Sequence, residues 1–368
     1  MSSAHSLADS RSLSGVRGAV YVPARAFNAY QLWERYDTAE VERDLGYAST
    51  LNLNAVRLFL SYERWRDDPE GLEASFDHLL EAAASNGIRV LPILFESAGR
   101  EPTRDHLADR DPETACAVCS PSHDVIGDER RWSGAGGGMF DAARRALGLG
   151  RGGERDGRDG SAPRQYVEWF VGRYDADDRL LALEIMNEPG GWPKRVNFAR
   201  RMLRVADDLR EDLPLTMGCK ALRFNEDYDD PELDAFQFHH NLPPDAADVR
   251  EKLADARRFA DRRGKPVWLT EWQRTRKRPP HPMLPNYASL AETIRGGDVD
   301  GDFLWSLMLK PAYLPNQRRK GRLNGLFHED GAVWSAADAR AVAGDPDLEI
   351  DERREPPRWL PEGLTRAG

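Results

Sequence analysis

Eight short apolar runs, each bounded by turn formers, alternate along the chain with stretches whose apolar residues recur at helical spacing. Few topologies accept that order. The runs are Val16 to Val22, Asn54 to Leu60, Ile88 to Phe95, Leu180 to Met186, Leu215 to Cys219, Ala235 to Phe238, Pro266 to Thr270 and Asp302 to Leu307. Helices are expected at about 38–49, 70–86, 164–175, 194–211, 245–263, 286–296 and 335–343, with Thr38 capping the first. Residues 220–234 read as a short, partly helical link. Runs apolar on both faces belong to parallel strands covered by helices, and right-handed crossovers fix the hand. Eight such units close into a single α/β domain, the (β/α)8 TIM barrel.

The barrel is expected to occupy residues 16–343, after a disordered polar leader at 1–15 and before a polar tail at 344–368. Residues 97–163 are too long for an ordinary connection after the third strand, and 133–163, rich in Gly, Asp and Arg, read as a flexible loop insertion. A net charge of −10 with scattered Arg argues against nucleic acid or an anionic membrane as the main partner. The first fifteen residues carry no apolar core of a signal peptide and no later run could span a bilayer, so a soluble, cytoplasmic protein is expected. Three cysteines do not make a disulfide scaffold.

In a barrel of this kind, chemistry sits at the C-terminal ends of the strands. Those ends present Arg57, Glu96, Asn187-Glu188, His239, Glu271 and Trp305. Glu188 ends the fourth strand, just before Pro189-Gly190-Gly191, and Glu271 ends the seventh. Two carboxyl groups facing across one mouth are what glycosidic cleavage needs: one protonates the leaving oxygen, the other attacks the anomeric carbon or activates water. Arg57 favours the ionised form of a neighbouring carboxylate, and Trp305 offers a flat face to a sugar ring. Each also has a structural reading. Arg57 could bridge polar layers inside the barrel, Trp305 could be plain core, and His239 could be a satisfied core imidazole.

These strand ends resemble glycoside hydrolase family 5 and its retaining (β/α)8 relatives, more narrowly the cellulase-like and 1,4-β-xylanase proteins of that group. Similar phrases run from Val20-Tyr-Val-Pro23 through Tyr47-Ala-Ser-Thr-Leu-Asn-Leu-Asn-Ala-Val-Arg57 to Gly325-Leu-Phe-His-Glu-Asp-Gly-Ala-Val-Trp334. The resemblance implies Glu188 as acid/base and Glu271 as nucleophile, Asn187 on the sugar 2-hydroxyl, Arg57 orienting Glu271, and His239 beside the acid/base. It implies an oligosaccharide substrate of the β-linked glucan, mannan or xylan type, double displacement and no cofactor. The chain departs from the family's pattern twice. Asn241 stands where strand 6 often carries Tyr, and Glu96 follows Phe95 where a His is common. With that assignment, Glu188 is expected to hold its proton more tightly than an ordinary carboxyl, and the two carboxyls to lie about 5–5.5 Å apart.

Two other readings stay open: a silent carbohydrate-binding barrel, and a metal-dependent barrel hydrolase. Cys116 and Cys119, with His106 and His123 on either side, could also supply four ligands to zinc, against free thiols or a redox-sensitive pair.

Overall fold

The computed structural model describes residues 12–132, 162–228, 233–276 and 284–361. Eight strands form the central sheet: β1 Val16–Val20, β2 Ala55–Phe59, β3 Arg89–Glu96, β4 Leu183–Asn187, β5 Leu215–Gly218, β6 Phe236–His240, β7 Val267–Trp272 and β8 Gly301–Leu304. All neighbours pair in parallel in the order β5-β4-β3-β2-β1-β8-β7-β6, so β1 joins β2 on one side and β8 on the other. The ring closes where Thr216 of β5 bridges Ala235, just before β6. Side chains reinforce that seam: Thr216 donates to the Ala235 carbonyl at 2.8 Å and accepts from Gln237 at 3.0 Å. The expected (β/α)8 barrel is the observed fold.

Local chemistry accounts for the helices around it. Asp68 accepts from the Gly71 amide at 2.9 Å and Pro69 opens the helix Pro69–Ser85 with its φ already set. Leu72, Phe76, Leu79, Leu80 and Ala83 form that helix's buried stripe. The helix Thr38–Thr50 is capped by Asp37, not Thr38, because the carboxylate one residue earlier reaches the Glu40 amide at 3.0 Å. At the N-terminal end of the barrel, Trp268, Phe303, Leu91 and Val16 plug the interior. A Cβ on Gly18 would lie 2.2 Å from the Phe303 ring, so the plug needs glycine there. The Trp268 indole donates to the Leu13 carbonyl at 2.8 Å, which ties residues just inside the expected leader to this end.

Three features at the other end position the site. Residues 97–132 fold back on β3 through bridges Glu96–Ser120 and Arg100–Val118 and carry the short helices Arg104–Ala108 and His123–Gly127. After β8 the chain makes a small hairpin, β9 Lys310–Pro311 with β10 Leu323–Asn324, which the sequence patterns do not announce. Lys310, buried, donates to the carbonyls of Pro23, Ala24 and Ala26 at 2.6, 2.9 and 2.5 Å and so clamps the loop after β1. Residues 344–361 run back over the barrel, where Arg353 bonds the Val333 carbonyl at 2.8 Å and the Trp359 ring packs edge-on against Phe27. The proposed insertion at 133–163 lies, but for its last two residues, outside the described residues. No described helix is long and apolar enough to cross a membrane.

Candidate active site

Arg57 stands at the centre of the barrel's C-terminal half with no exposed surface. A guanidinium there must be paired, because a buried charge without partners costs several kcal/mol. Its Nε and one Nη hold both oxygens of Glu184 at 2.7 and 2.6 Å. The same Nη reaches the Asn187 Oδ1 at 2.7 Å, and the other donates to Glu271 at 3.0 Å. Glu184 is itself fully buried on β4, and Gly218 on β5 makes room for it: a Cβ there would sit 2.0 Å from a Glu184 oxygen. Arg57 therefore spans three strands and fixes Asn187 and Glu271 in one rigid set.

Glu271, at the end of β7, has both oxygens held. One accepts from Arg57 and the other from the Asn241 amide at 3.0 Å. Gln273 in turn donates to Asn241 at 2.9 Å, so the strand-6 asparagine is oriented as well. An amide thus supplies the hydrogen bond that a tyrosine hydroxyl would otherwise provide.

Glu188 follows β4 in a left-handed conformation, φ +42°, which few residues other than glycine adopt readily. Its amide donates to the Gly218 carbonyl at 2.8 Å and its carbonyl accepts from the Ser97 hydroxyl, so the backbone is pinned on both sides. That turn aims the carboxyl at the mouth, where it meets His239 Nδ1 at 2.8 Å. The same nitrogen lies 3.6 Å from Glu271, and one oxygen of each glutamate and the imidazole nitrogen all fall within 4.8 Å of one another. Burial pulls the Glu188 carboxyl upward, but the hydrogen bond and charge of His239, then Lys220 at 3.8 Å and Arg57, hold it below the usual value. This corrects the expectation of a raised Glu188. The group that meets the Glu188 carboxyl is the His239 imidazole at 2.8 Å, not Glu271.

Trp305 lies just past β8, joined to Ser306 by a cis peptide bond, where the sequence pattern continued the strand to Leu307. Its ring meets Phe59 edge-on at 6.4 Å and Tyr313 at 5.5 Å. These three, with Glu96, Asn28 and Val118, line a cavity of about 60 Å³. Tyr313 was not picked out from the sequence; its hydroxyl is buried without a hydrogen-bond partner. Glu96 ends β3 and receives the Asn187 amide on both oxygens, at 3.2 and 2.9 Å, and the Ala98 amide at 2.6 Å.

Of the residues singled out from the sequence, Arg57, Asn187, Glu188, His239 and Glu271 are joined by hydrogen bonds or close approach at this end of the barrel, Glu96 bonds Asn187, and Trp305 lies against Phe59. The four residues that could have supplied zinc ligands do not assemble. Cys119 and His123 come together with Glu101, whose carboxylate bonds His123, whereas His106 is turned to the Glu101 carbonyl at 2.8 Å. Cys116 and Cys119 are free, buried thiols, and burial, with Glu101, Glu63 and Glu96 nearby, pushes Cys119 up to about 12.

Buried carboxyls give the fold a pH signature. Burial raises Glu96 to about 8, helped by the charges of Glu188 and Glu271; it raises Glu63 to about 7 against its bond from Ser120, and Asp44 to about 7 against Arg43. Between the unfolded values near 4 and these folded values, the native state binds more protons than the unfolded chain, so stability falls as pH rises through that window. The melting temperature is expected to drop by several degrees from pH 5 to pH 8, and Glu63→Gln to flatten part of the drop. A melting temperature that is constant or rising over that range contradicts this.

No protein-family profile and no curated protein matches the sequence. Solved structures match by fold. The exo-β-1,4-mannosidase of Opitutaceae bacterium strain TAV5 superposes with a TM-score of 0.58 at 17% identity, over 89% of this chain and 58% of that one. A GH5_18 protein from Streptomyces cattleya, in complex with GlcNAc, gives 0.57 at 16% identity, over 93% and 83%. The endo-β-1,4-mannanase of Thermotoga petrophila gives 0.54 at 14% identity, over 92% and 78%. At these identities the likeness is one of fold, a (β/α)8 barrel held in common with glycoside hydrolases.

Proposed function

We propose that the protein is a retaining β-glycoside hydrolase of the family 5 kind, acting on β-linked oligosaccharides of the glucan, mannan or xylan type. The observation that carries this reading is the approach of Glu188 and Glu271 to within 4.8 Å, oxygen to oxygen, across His239 at the mouth of the barrel. A closest approach under 4.8 Å is shorter than the retaining separation of about 5–5.5 Å and far from the inverting one near 6.5–9.5 Å, which supports attack by a carboxylate rather than by water.

In the first step Glu271, its oxygens aimed by Arg57 and Asn241, attacks the anomeric carbon while the leaving oxygen takes a proton from Glu188. His239 shares that proton through its 2.8 Å bond, which reconciles an acid role with a carboxyl held below its usual value. In the second step Glu188 accepts a proton from water, which releases the sugar from Glu271. In this reading Trp305 stacks on the sugar, and the fold neighbours named as mannanase and mannosidase support the substrate class. Nothing in the scheme requires a cofactor, so activity is expected to survive a chelator.

The stereochemical outcome tests the scheme. Proton NMR of an aryl β-glycoside digest is expected to show the β-anomer first, with the α-anomer growing in only by mutarotation. An α-anomer seen first would make Glu271 a general base and remove the covalent step.

A further inference from the structure

Glu96 has no role in the scheme above, yet it is built into the same mouth. Asn187, the residue that the family resemblance puts on the sugar's C2 substituent, has its carbonyl oxygen taken by Arg57 and its amide turned onto Glu96. A carboxyl therefore stands directly beside the residue that this resemblance puts on C2. One Glu96 oxygen is occupied by the Ala98 amide as well as Asn187, while the other accepts from Asn187 alone. The side chain borders the cavity that Trp305, Phe59 and Tyr313 complete.

Glu184 and Glu271 are each paired with Arg57, and Glu188 faces His239 and an exposed Lys220 at 3.8 Å. Among the described residues Glu96 is the carboxyl of this group with no cationic side chain paired to it, and an unpaired carboxyl beside a cavity favours a cation over a neutral ligand.

We propose that Glu96 is a specificity-determining residue and that it narrows the β-linked class named above: the sugar at the cleavage point is a glucan-type unit carrying a free amine, rather than a hydroxyl, on C2. This rests on Glu188 and Glu271 being the catalytic pair. An ammonium on C2 would sit against the carboxylate of Glu96 in a charge-assisted hydrogen bond, about twice as strong as one between neutral groups. Burial and the two neighbouring glutamates keep a proton on Glu96 up to about pH 8. A neutral amine would take that proton directly; an ammonium would displace it into the buffer. An N-acetylated sugar has no charge to offer, and a plain 2-hydroxyl makes only the weaker neutral bond.

The test compares 4-nitrophenyl β-glucosaminide, β-glucoside and β-N-acetylglucosaminide on the full chain. The wild type is expected to favour the glucosaminide by ~30-fold or more in kcat/KM over either of the others. Glu96→Gln keeps the size of the side chain and one acceptor for the Asn187 and Ala98 amides but removes the charge, and is expected to collapse that ratio at least ~10-fold. A merely structural role for Glu96 would lower all three substrates together. Calorimetry on the full-length Glu271→Gln protein supplies a readout without turnover: the β-1,4-linked glucosamine disaccharide is expected to bind ~10-fold or more tightly than cellobiose. Equal rates on glucosaminide and glucoside, or equal binding of the two disaccharides, overturns the proposal while Glu271-dependent hydrolysis leaves the catalytic reading standing. Tighter binding of the amino sugar with no glycoside cleaved would support the ligand chemistry and sink the catalytic reading instead.

Discussion

Replacing Glu271 with Ala is expected to abolish turnover of every aryl glycoside, including those with good leaving groups, by roughly 10⁵-fold. No leaving group compensates for a missing nucleophile. Glu188→Ala is expected to behave differently, because it removes proton transfer alone, an effect of roughly 10²–10⁴-fold on poor leaving groups. Dinitrophenyl glycosides should still load Glu271, and the glycosyl-enzyme should then accumulate as a burst. Azide needs no general base, so it should speed the second step and give a β-glycosyl azide. An α-glycosyl azide from Glu188→Ala, or equal losses on good and poor leaving groups, would show that the two roles are misassigned.

The largest effect on folding is expected at Arg57. Its four hydrogen bonds tie β2 to β4 and β7, and Glu184 has no surface through which water could replace them. Arg57→Ala leaves a buried carboxylate unpaired and should cost about 3–5 kcal/mol, read from urea midpoints. Arg57→Lys keeps the charge but cannot grip both Glu184 oxygens while reaching Asn187 and Glu271, so it should remain destabilised. The double variant Arg57→Ala/Glu184→Gln should lose less than the sum of its parts, since the second change removes the orphaned charge. A loss under about 1 kcal/mol for Arg57→Ala would mean that the Glu184 pair is not what holds this end of the barrel.

What could be read from the sequence was local and periodic. Strand runs such as Leu180 to Met186 and the stripe of Phe76, Leu79 and Leu80 follow from burial on known faces. Once the barrel closes, the strand tips fall together of necessity, so Arg57, Asn187, Glu188, His239 and Glu271 could be placed at one mouth without coordinates. Their partners could not. Glu184 is visible as the one charge in an apolar run, but its match to Arg57 depends on the sheet curling so that β2 and β4 face the same interior. Tyr313 arrives from a two-stranded hairpin too short for any periodic signal. The direction of the Glu188 shift was misread for a related reason: the order of strands puts Glu271 across the mouth, but the side-chain distance that decides the sign, 2.8 Å to His239, appears only in three dimensions. The Thr38 cap failed by one residue, the usual margin where adjacent side chains compete for the same amides.

The left-handed turn at Glu188 also bears on how such a site persists through mutation. A residue with a Cβ held at φ +42° costs on the order of 1 kcal/mol or more relative to glycine, which takes this conformation freely. Random change at position 188 towards glycine or asparagine would therefore be rewarded by the folding equilibrium. Only a requirement for the carboxyl itself opposes that drift. A chain of this fold that had given up catalysis would be expected to relax first at this position, before Arg57 or Glu184, whose loss the fold would not tolerate.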